Sequence, residues 1–329
     1  MNPWHPDRYF AYGPYLQRRF GTRVYKVSVD AGFTCPNRDG KVAVGGCTYC
    51  NNDSFRADGA APSLPVSEQI GNGIEFLRRR FGATKFIAYF QNFTSTYAPV
   101  EHLECLYREA LAHTDVIGLS IGTRPDCVEG EKLRLIEDLA RRWHITVEFG
   151  LESVHDRTLR AVNRGHDFAA WLDAIERSAG RGFHLATHVI LGLPGETRDE
   201  MLQSARVISS LPIDFIKIHH LHVVKGTRMA AEYRKRPFST FTFDEYAELL
   251  CDYLELLSPK ICVQRLFGLA PEEMILAPKW NLTKDQVIRR LKQAMERRDC
   301  WQGKRACDFG LRISDCGLPI SDCGFPIAD

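Results

Sequence analysis

Short runs rich in β-branched and aromatic residues alternate along the chain with longer amphipathic stretches. The short runs fall at residues 23–29, 85–91, 116–121, 145–149, 185–191, 215–219 and 261–266, and they predict strands. The stretches 67–80, 100–113, 131–143, 168–181, 197–209 and 243–257 carry apolar residues at helical spacing and predict helices. Hairpin signals between the strands are few, so an α/β fold with a parallel sheet and crossover helices is expected. Six or so such units suit a barrel or part-barrel; a doubly wound open sheet is the rival.

One helix start is well marked. Thr197 is followed three residues later by Glu200, the spacing of a capping box, straight after the tight turn Gly192-Leu193-Pro194-Gly195-Glu196. Past residue 225 the pattern changes. The stretch 225–237 is polar and basic and reads as a connection, before a helical region and the basic stretch 283–305. A near-repeat, Ile313-Ser-Asp-Cys-Gly-Leu-Pro319 and Ile320-Ser-Asp-Cys-Gly-Phe-Pro326, reads as a poorly ordered tail. The expected organisation is an N-terminal extension over 1–20, a core over 21–226, a helical or mixed extension over 227–305 and a tail over 306–329.

The 329 residues leave room for a sizeable core. No run of eighteen or more apolar residues occurs, so no membrane-spanning helix is expected. The opening residues lack the charged-then-apolar order of a secretory signal, which points to a cytoplasmic protein. Lysine and arginine number 43 against 41 aspartates and glutamates, a net charge of +2 that neither demands nor excludes nucleic acid. Eleven cysteines, an odd number, favour metal or redox chemistry over a disulfide framework.

Three of those cysteines stand out. Cys35, Cys47 and Cys50 share a glycine-rich loop after the first strand. Glycines let such a loop fold tightly enough for thiolates to converge. An iron–sulfur cluster normally takes four thiolates. Three would leave one iron open to a ligand such as the amino and carboxylate groups of S-adenosylmethionine (SAM). The competing reading is a structural zinc site built on Cys47 and Cys50, but no second C-x-x-C or H-x-x-x-H closes a tetrahedron. Cys300, Cys307, Cys316 and Cys323 lack any C-x-x-C spacing for a second cluster. Cys105, Cys251 and Cys262 fall in regular elements and read as core residues.

Other motifs accompany the loop: Asp30-Ala-Gly-Phe-Thr-Cys-Pro-Asn-Arg-Asp-Gly40, Gly45-Gly-Cys-Thr-Tyr-Cys-Asn51, Tyr89-Phe-Gln-Asn-Phe-Thr-Ser-Thr-Tyr-Ala-Pro99, Ile121-Gly-Thr-Arg-Pro-Asp-Cys127, Glu148-Phe-Gly-Leu-Glu-Ser153, Asn163-Arg-Gly-His166 and Leu191-Gly-Leu-Pro-Gly-Glu196. On these motifs the sequence resembles the radical SAM superfamily, and within it the YtqA/YhcC-type family, whose SAM domain is similar to that of the Elongator catalytic subunit. The first two cysteines stand further apart than in the common superfamily pattern, in agreement with the longer loop of this family.

The resemblance implies a partial (β/α)6 barrel and a 4Fe–4S cluster on Cys35, Cys47 and Cys50, with SAM as the second cofactor. It implies that Tyr49 lies against the SAM adenine, that Gln91 meets the amino group, that Glu152 accepts from the ribose hydroxyls and that Arg164 holds the carboxylate. Gly192 would bring backbone close to the adenine. Each has a plainer structural reading: a packed loop aromatic, a strand-end cap, a turn glutamate, a surface arginine and a turn glycine. Arg124 and Asp126, at the end of the third strand, are expected to face substrate or cofactor.

Strand alternation places Lys217 and His219 on one face, and His220 and His222 on the other. Lys217 and His219 are the candidate acid–base groups, against a purely structural role. The basic stretch carries Lys284, Arg289, Arg290, Lys292, Arg297, Arg298, Lys304 and Arg305, opposed by Asp285, Glu296 and Asp299. It reads as an RNA-contacting helix or as a solvated face. The resemblance favours RNA: it implies action on tRNA wobble uridine, converting 5-carboxymethylaminomethyluridine to 5-aminomethyluridine, with flavodoxin or ferredoxin as electron donor. A radical enzyme acting on a small molecule or peptide, and a non-catalytic zinc-bearing RNA-binding protein, are the alternatives.

Overall fold

The structure, a computed structural model, describes residues 6–51 and 61–306. The near-repeat and Cys307, Cys316 and Cys323 lie outside the described residues.

Six strands follow in chain order: β1 (Val24–Val29), β2 (Lys85–Phe90), β3 (Val116–Thr123), β4 (His144–Glu152), β5 (His184–Leu191) and β6 (Phe215–His220). A short segment, β7 (Val223–Val224), precedes β8 (Cys262–Arg265) and β9 (Ile275–Ala277). The sheet runs β1-β2-β3-β4-β5-β6-β8, every neighbouring pair parallel. β7 and β9 form a separate antiparallel pair.

The strand order never reverses. A doubly wound sheet needs a reversal, so that rival is excluded. Right-handed crossovers in sequential order put the helices on one face, and the other face curls around an interior. Lys26 on β1 measures the curl. Its ammonium donates to Glu148 on β4 at 2.8 Å and to Gln264 on β8 at 3.4 Å. On a flat sheet β1 and β4 would stand about 14 Å apart, three strand spacings. The result is a half-barrel of seven strands. The seventh strand, β8, comes from the region past residue 226.

The predicted helices form the outer layer: α2 (Val66–Phe81), α3 (Val100–Leu111), α4 (Gly130–Ala140), α6 (Phe168–Ser178), α7 (Arg198–Ser209) and α9 (Phe243–Leu256). Thr197 and Glu200 form the expected capping box, and Thr242 with Glu245 forms another. α10 (Lys284–Arg297) packs Val287, Leu291, Ala294 and Met295 inward. Three helices lack a sequence prediction: α1 (Tyr12–Phe20), α5 (Asp156–Ala161) and α8 (Arg228–Lys235). The polar stretch 225–237 is thus helical in its middle, capped by Thr227 and held by buried Met229 and Ala230.

α1 closes the N-terminal end of the barrel. Tyr12 and Tyr15 set their rings edge-on to Phe215, and Phe20 does the same to His144. The strand beside it extends β8, with Val263 N–H donating to the Phe10 carbonyl at 2.7 Å. Among the described residues no helix is long and apolar enough to cross a membrane.

Candidate active site

A cavity of about 230 Å3 opens at the C-terminal ends of the strands, where barrel chemistry is found. The loop after β1 forms its rim. Gly46 N–H donates to the Asn37 carbonyl, and Val42 N–H to that of Pro36, both at 2.8 Å. Gly46 has φ +78°, and a Cβ there would meet Arg38 at 2.9 Å. Two asparagines staple this loop to the turn after α5. Asn37 donates to the Asn163 carbonyl at 2.6 Å, and Asn163 donates to the Gly46 carbonyl at 2.8 Å. Gly165 completes the fit, since its Cβ would lie 2.3 Å from Asn37 Oδ1. These contacts tie the Asn163-Arg-Gly-His166 motif to the cysteine loop.

Cys35, Cys47 and Cys50 all line the cavity. The Cys47 sulfur receives Asn37 Nδ2 and Arg164 Nη1, each at 3.6 Å. These two donors, one of them cationic, fix the position of the sulfur. Burial, then the neighbouring Cys47, pushes the Cys50 thiol up to about 11. Among the described residues, no three His, Cys, Asp or Glu side chains are gathered closely enough to hold a single metal ion. An iron–sulfur cube is wider than one ion, and the thiolates around it stand further apart. The donor set of three thiols, one already supplied with donors, fits such a cluster better than a zinc ion.

Above the rim, Arg164 is threaded between Cys47 and the strand. Its Nη2 donates to the Gly150 carbonyl at 2.5 Å and stands 3.7 Å from Glu152 Oε1, while its buried Nε has no partner. Burial raises the Glu152 carboxyl, and Arg164 partly offsets this. Glu152 holds an unusual φ of +74° at a bulge between β4 and β5. Gly150 is required here, because a Cβ would lie 2.5 Å from Arg164 Nη2 and 2.7 Å from Glu152 Oε1. Arg124 and Asp126 form a two-bond pair at 2.9 and 2.7 Å, and Arg124 also donates to the Arg164 carbonyl at 2.7 Å. Arg124 lines the cavity and supports Arg164 from below.

Tyr49 and Gln91 line the cavity, and the buried Tyr49 hydroxyl has no partner. Gly192 is not among the lining residues. Its φ is +91°, and a Cβ there would meet the Phe241 ring at 2.8 Å.

The interior holds a charged network that the sequence reading passed over. Glu148, fully buried, accepts from Lys26 at 2.8 Å, from Lys217 through a short bond, and lies 3.2 Å from His188 Nε2. Lys217 also donates to the Tyr89 hydroxyl at 2.7 Å. Despite burial, the two lysines and His188 hold the Glu148 carboxyl well below the usual range. His188 is pushed down to about 4 by burial and then by Lys217, so it is neutral at neutral pH. Lys217 and His219 do share the inward face, as alternation requires. His220 and His222, expected on the opposite face, also line the cavity, because the strand ends at His220; His220 stacks on Trp280, with ring centres 3.9 Å apart.

A charged residue inside a strand covered on both faces was the available signal for this network. Such strands are otherwise nearly all apolar. Glu148 in Thr146-Val-Glu-Phe149 and Lys217 in Phe215-Ile-Lys-Ile218 break that pattern with opposite charges.

Two surface expectations change. Cys105 is exposed, not in the core, because α3 buries Leu103, Tyr107, Ala110 and Leu111 and turns Cys105 outward. Cys251, Cys262 and Cys300 are buried. The basic stretch is partly neutralised. Lys292 pairs with Asp7 at 2.7 Å, and Arg298 pairs with Glu248 at 2.8 Å and Asp252 at 2.5 Å.

The family model described as "Radical SAM superfamily" matches residues 35–208, and "Radical_SAM C-terminal domain" matches 213–297. The chain is 38% identical to the uncharacterized protein YtqA of Bacillus subtilis, over 90% of this chain and 92% of that one. It is 37% identical to protein YhcC of Escherichia coli, over 82% of this chain and 86% of that one. The fold matches the archaeal Methanocaldococcus infernus Elp3 with a TM-score of 0.65 at 17% identity, covering 85% of this chain and 64% of that chain.

Proposed function

The chain belongs to the radical SAM superfamily, and from that premise we propose that Cys35, Cys47 and Cys50 ligate its 4Fe–4S cluster and that its substrate is a modified wobble uridine of tRNA. Radical SAM enzymes use this cluster together with SAM. Held by Cys35, Cys47 and Cys50, such a cluster would supply the electron for reductive cleavage of SAM and so the radical chemistry at an unactivated C–H bond.

The chain's own residues hold and shield. Asn37 and Arg164 donate to the Cys47 sulfur and hold it in place. Tyr49 offers its ring, and its unpartnered hydroxyl, to the adenosine; Gln91 offers an amide oxygen to the SAM amino group; Glu152 offers a carboxylate to the ribose. Arg164 is already committed to Cys47 and Gly150, which leaves only its Nε for the SAM carboxylate. Lys217 and His219 face the substrate end of the cavity. The buried walls exclude water and hold the target C–H bond in place, as radical chemistry requires.

The observation that carries the cluster reading is the three-thiol loop over the open end of the barrel. The tRNA reading rests on the resemblance to the Elongator catalytic subunit and on the basic face of α10. The reaction would abstract a hydrogen from the carboxymethyl CH2 of 5-carboxymethylaminomethyluridine; loss of one more electron, to an oxidised flavodoxin or ferredoxin, and of a proton, with addition of water, would release that unit as glyoxylate and leave 5-aminomethyluridine. A flavodoxin or ferredoxin would deliver the electron, which suits a cytoplasmic protein. The pairing of Lys292 and Arg298 with the chain's own acids favours a second reading, radical chemistry on a small molecule or peptide.

The test is deletion of the gene followed by mass spectrometry of nucleosides from total tRNA. Complementation uses wild type or a variant with Cys35, Cys47 and Cys50 all changed to alanine. Accumulation of 5-carboxymethylaminomethyluridine, reversed by wild type alone, is expected. An unchanged nucleoside profile sinks the tRNA reading and leaves the second one.

A further inference from the structure

The cavity floor gathers Lys26, Lys217 and Arg265 around Glu148; burial pushes both lysines down from their ordinary range, and among the described residues Arg265 is left without an acid of its own. Glu148 is its carboxylate, and that carboxylate is already shared by Lys26 and Lys217. Arg265 stands beside them on β8, in register with Lys217. It lines the cavity, and among the described residues it has no hydrogen-bonded or ionic partner. The other cavity-lining arginines are all engaged: Arg38 with the Cys50 carbonyl, Arg124 with Asp126, and Arg164 with Cys47 and Gly150. His219 lies two residues beyond Lys217, on the same inward face and one step nearer the mouth. Its buried Nε2 has no partner.

A guanidinium without a counter-ion, beside an orphaned imidazole nitrogen in a partly buried pocket, is costly unless a ligand completes it. Arginine pairs with a carboxylate through two parallel bonds, and a neutral histidine can donate a third. Burial, then Arg265, holds His219 well below its ordinary range, so the ring is neutral and keeps one N–H to give.

We propose that Arg265 and His219 form a subsite for a carboxylate on the substrate. The subsite sits on the wall of the cavity formed by β6 and β8, so the anion would anchor the end of a flexible arm. The subsite stands on the cavity alone. Its link to the carboxymethyl group of the uridine rests on the tRNA reading above.

The test uses the cluster-loaded enzyme with SAM present. Phenylglyoxal modification of Arg265 is followed by peptide mass spectrometry in N-acetylglycine, N-acetylglycinamide, inorganic phosphate and sodium chloride at equal ionic strength. N-acetylglycine should slow modification by about tenfold and its neutral amide should not, as expected for a charge-assisted pair. His219→Ala should weaken that protection. Equal modification in all four solutions overturns the proposal, and so does protection by phosphate but not by N-acetylglycine. SAM affinity of Arg265→Gln is measured by equilibrium dialysis. A large loss would assign the anion site to the cofactor and overturn the substrate assignment. Finally, anticodon stem-loop RNA bearing the carboxymethylaminomethyl group is compared with its methyl ester. Wild type should favour the acid, and Arg265→Gln should erase that preference mainly through KM. If neither RNA is turned over while N-acetylglycine still protects Arg265, the tRNA reading falls and the carboxylate subsite stands.

Discussion

The Arg164 guanidinium reaches the Cys47 sulfur at 3.6 Å only because residue 150 has no side chain. One nitrogen bonds the sulfur while another bonds the Gly150 carbonyl, and Glu152 stands behind. Gly150→Ala would place a methyl 2.5 Å from that second nitrogen. We expect a stability loss of about 1–3 kcal/mol from overpacking. Chemical denaturation checks this, and cluster content of the same sample should fall because Cys47 loses its cationic partner. A variant with wild-type cluster content would show that Arg164 does not position Cys47.

Alanine at Cys35, Cys47 or Cys50 should each abolish the brown colour and SAM cleavage after anaerobic reconstitution. Alanine at exposed Cys105 should leave both intact. Iron and sulfide assays with visible absorbance decide it. A colourless wild type that binds zinc would return the loop to a structural role.

Glu148→Gln leaves Lys26 and Lys217 buried against a neutral amide. Breaking a buried ion pair from one side costs about 3–5 kcal/mol. Urea midpoints should fall accordingly. Adding Lys217→Met should recover part of the loss, since one unpaired charge is then removed. If the double variant is no more stable than the single, the two residues are not energetically coupled.

Acid sensitivity should trace to buried histidines. Burial, then His184, pushes His144 down to about 3, and both its ring nitrogens lack partners. The unfolded chain takes up that proton near pH 6.5, whereas the folded one does not until far lower. The unfolded state therefore binds more protons across that window, and stability falls as pH drops through it. At pH 5 the loss from His144 is about 2 kcal/mol. His144→Phe should flatten the acid limb by that amount and be neutral or stabilising at pH 7. Denaturant midpoints at the two pH values measure it.

The strands were legible because a sheet covered on both faces concentrates apolar residues into short runs. Their ends were less so. β4 runs on to Glu152, past the expected stop at residue 149, because its bulge keeps Arg164 and Glu152 in place. α1 was missed because Gly13-Pro14 looks like a break. Pro14 sits in the first helical turn, where its missing N–H goes unused. The cysteine loop could be read locally, since its three thiols fall within sixteen residues, Cys35 to Cys50. The floor could not. Lys26, Tyr89, Glu148, His188, Lys217 and Arg265 come from six different strands, and only closure of the sheet brings them together.

Among the described residues, α1 covers the lower end of the half-barrel, and the cavity opens at the other end, at the C-terminal ends of the strands. The cysteine loop borders that opening. A macromolecular substrate seated on that mouth would cover the opening through which methionine and 5′-deoxyadenosine leave. Turnover should then be ordered, with SAM in first, the large substrate second, and the small products held until the large one departs.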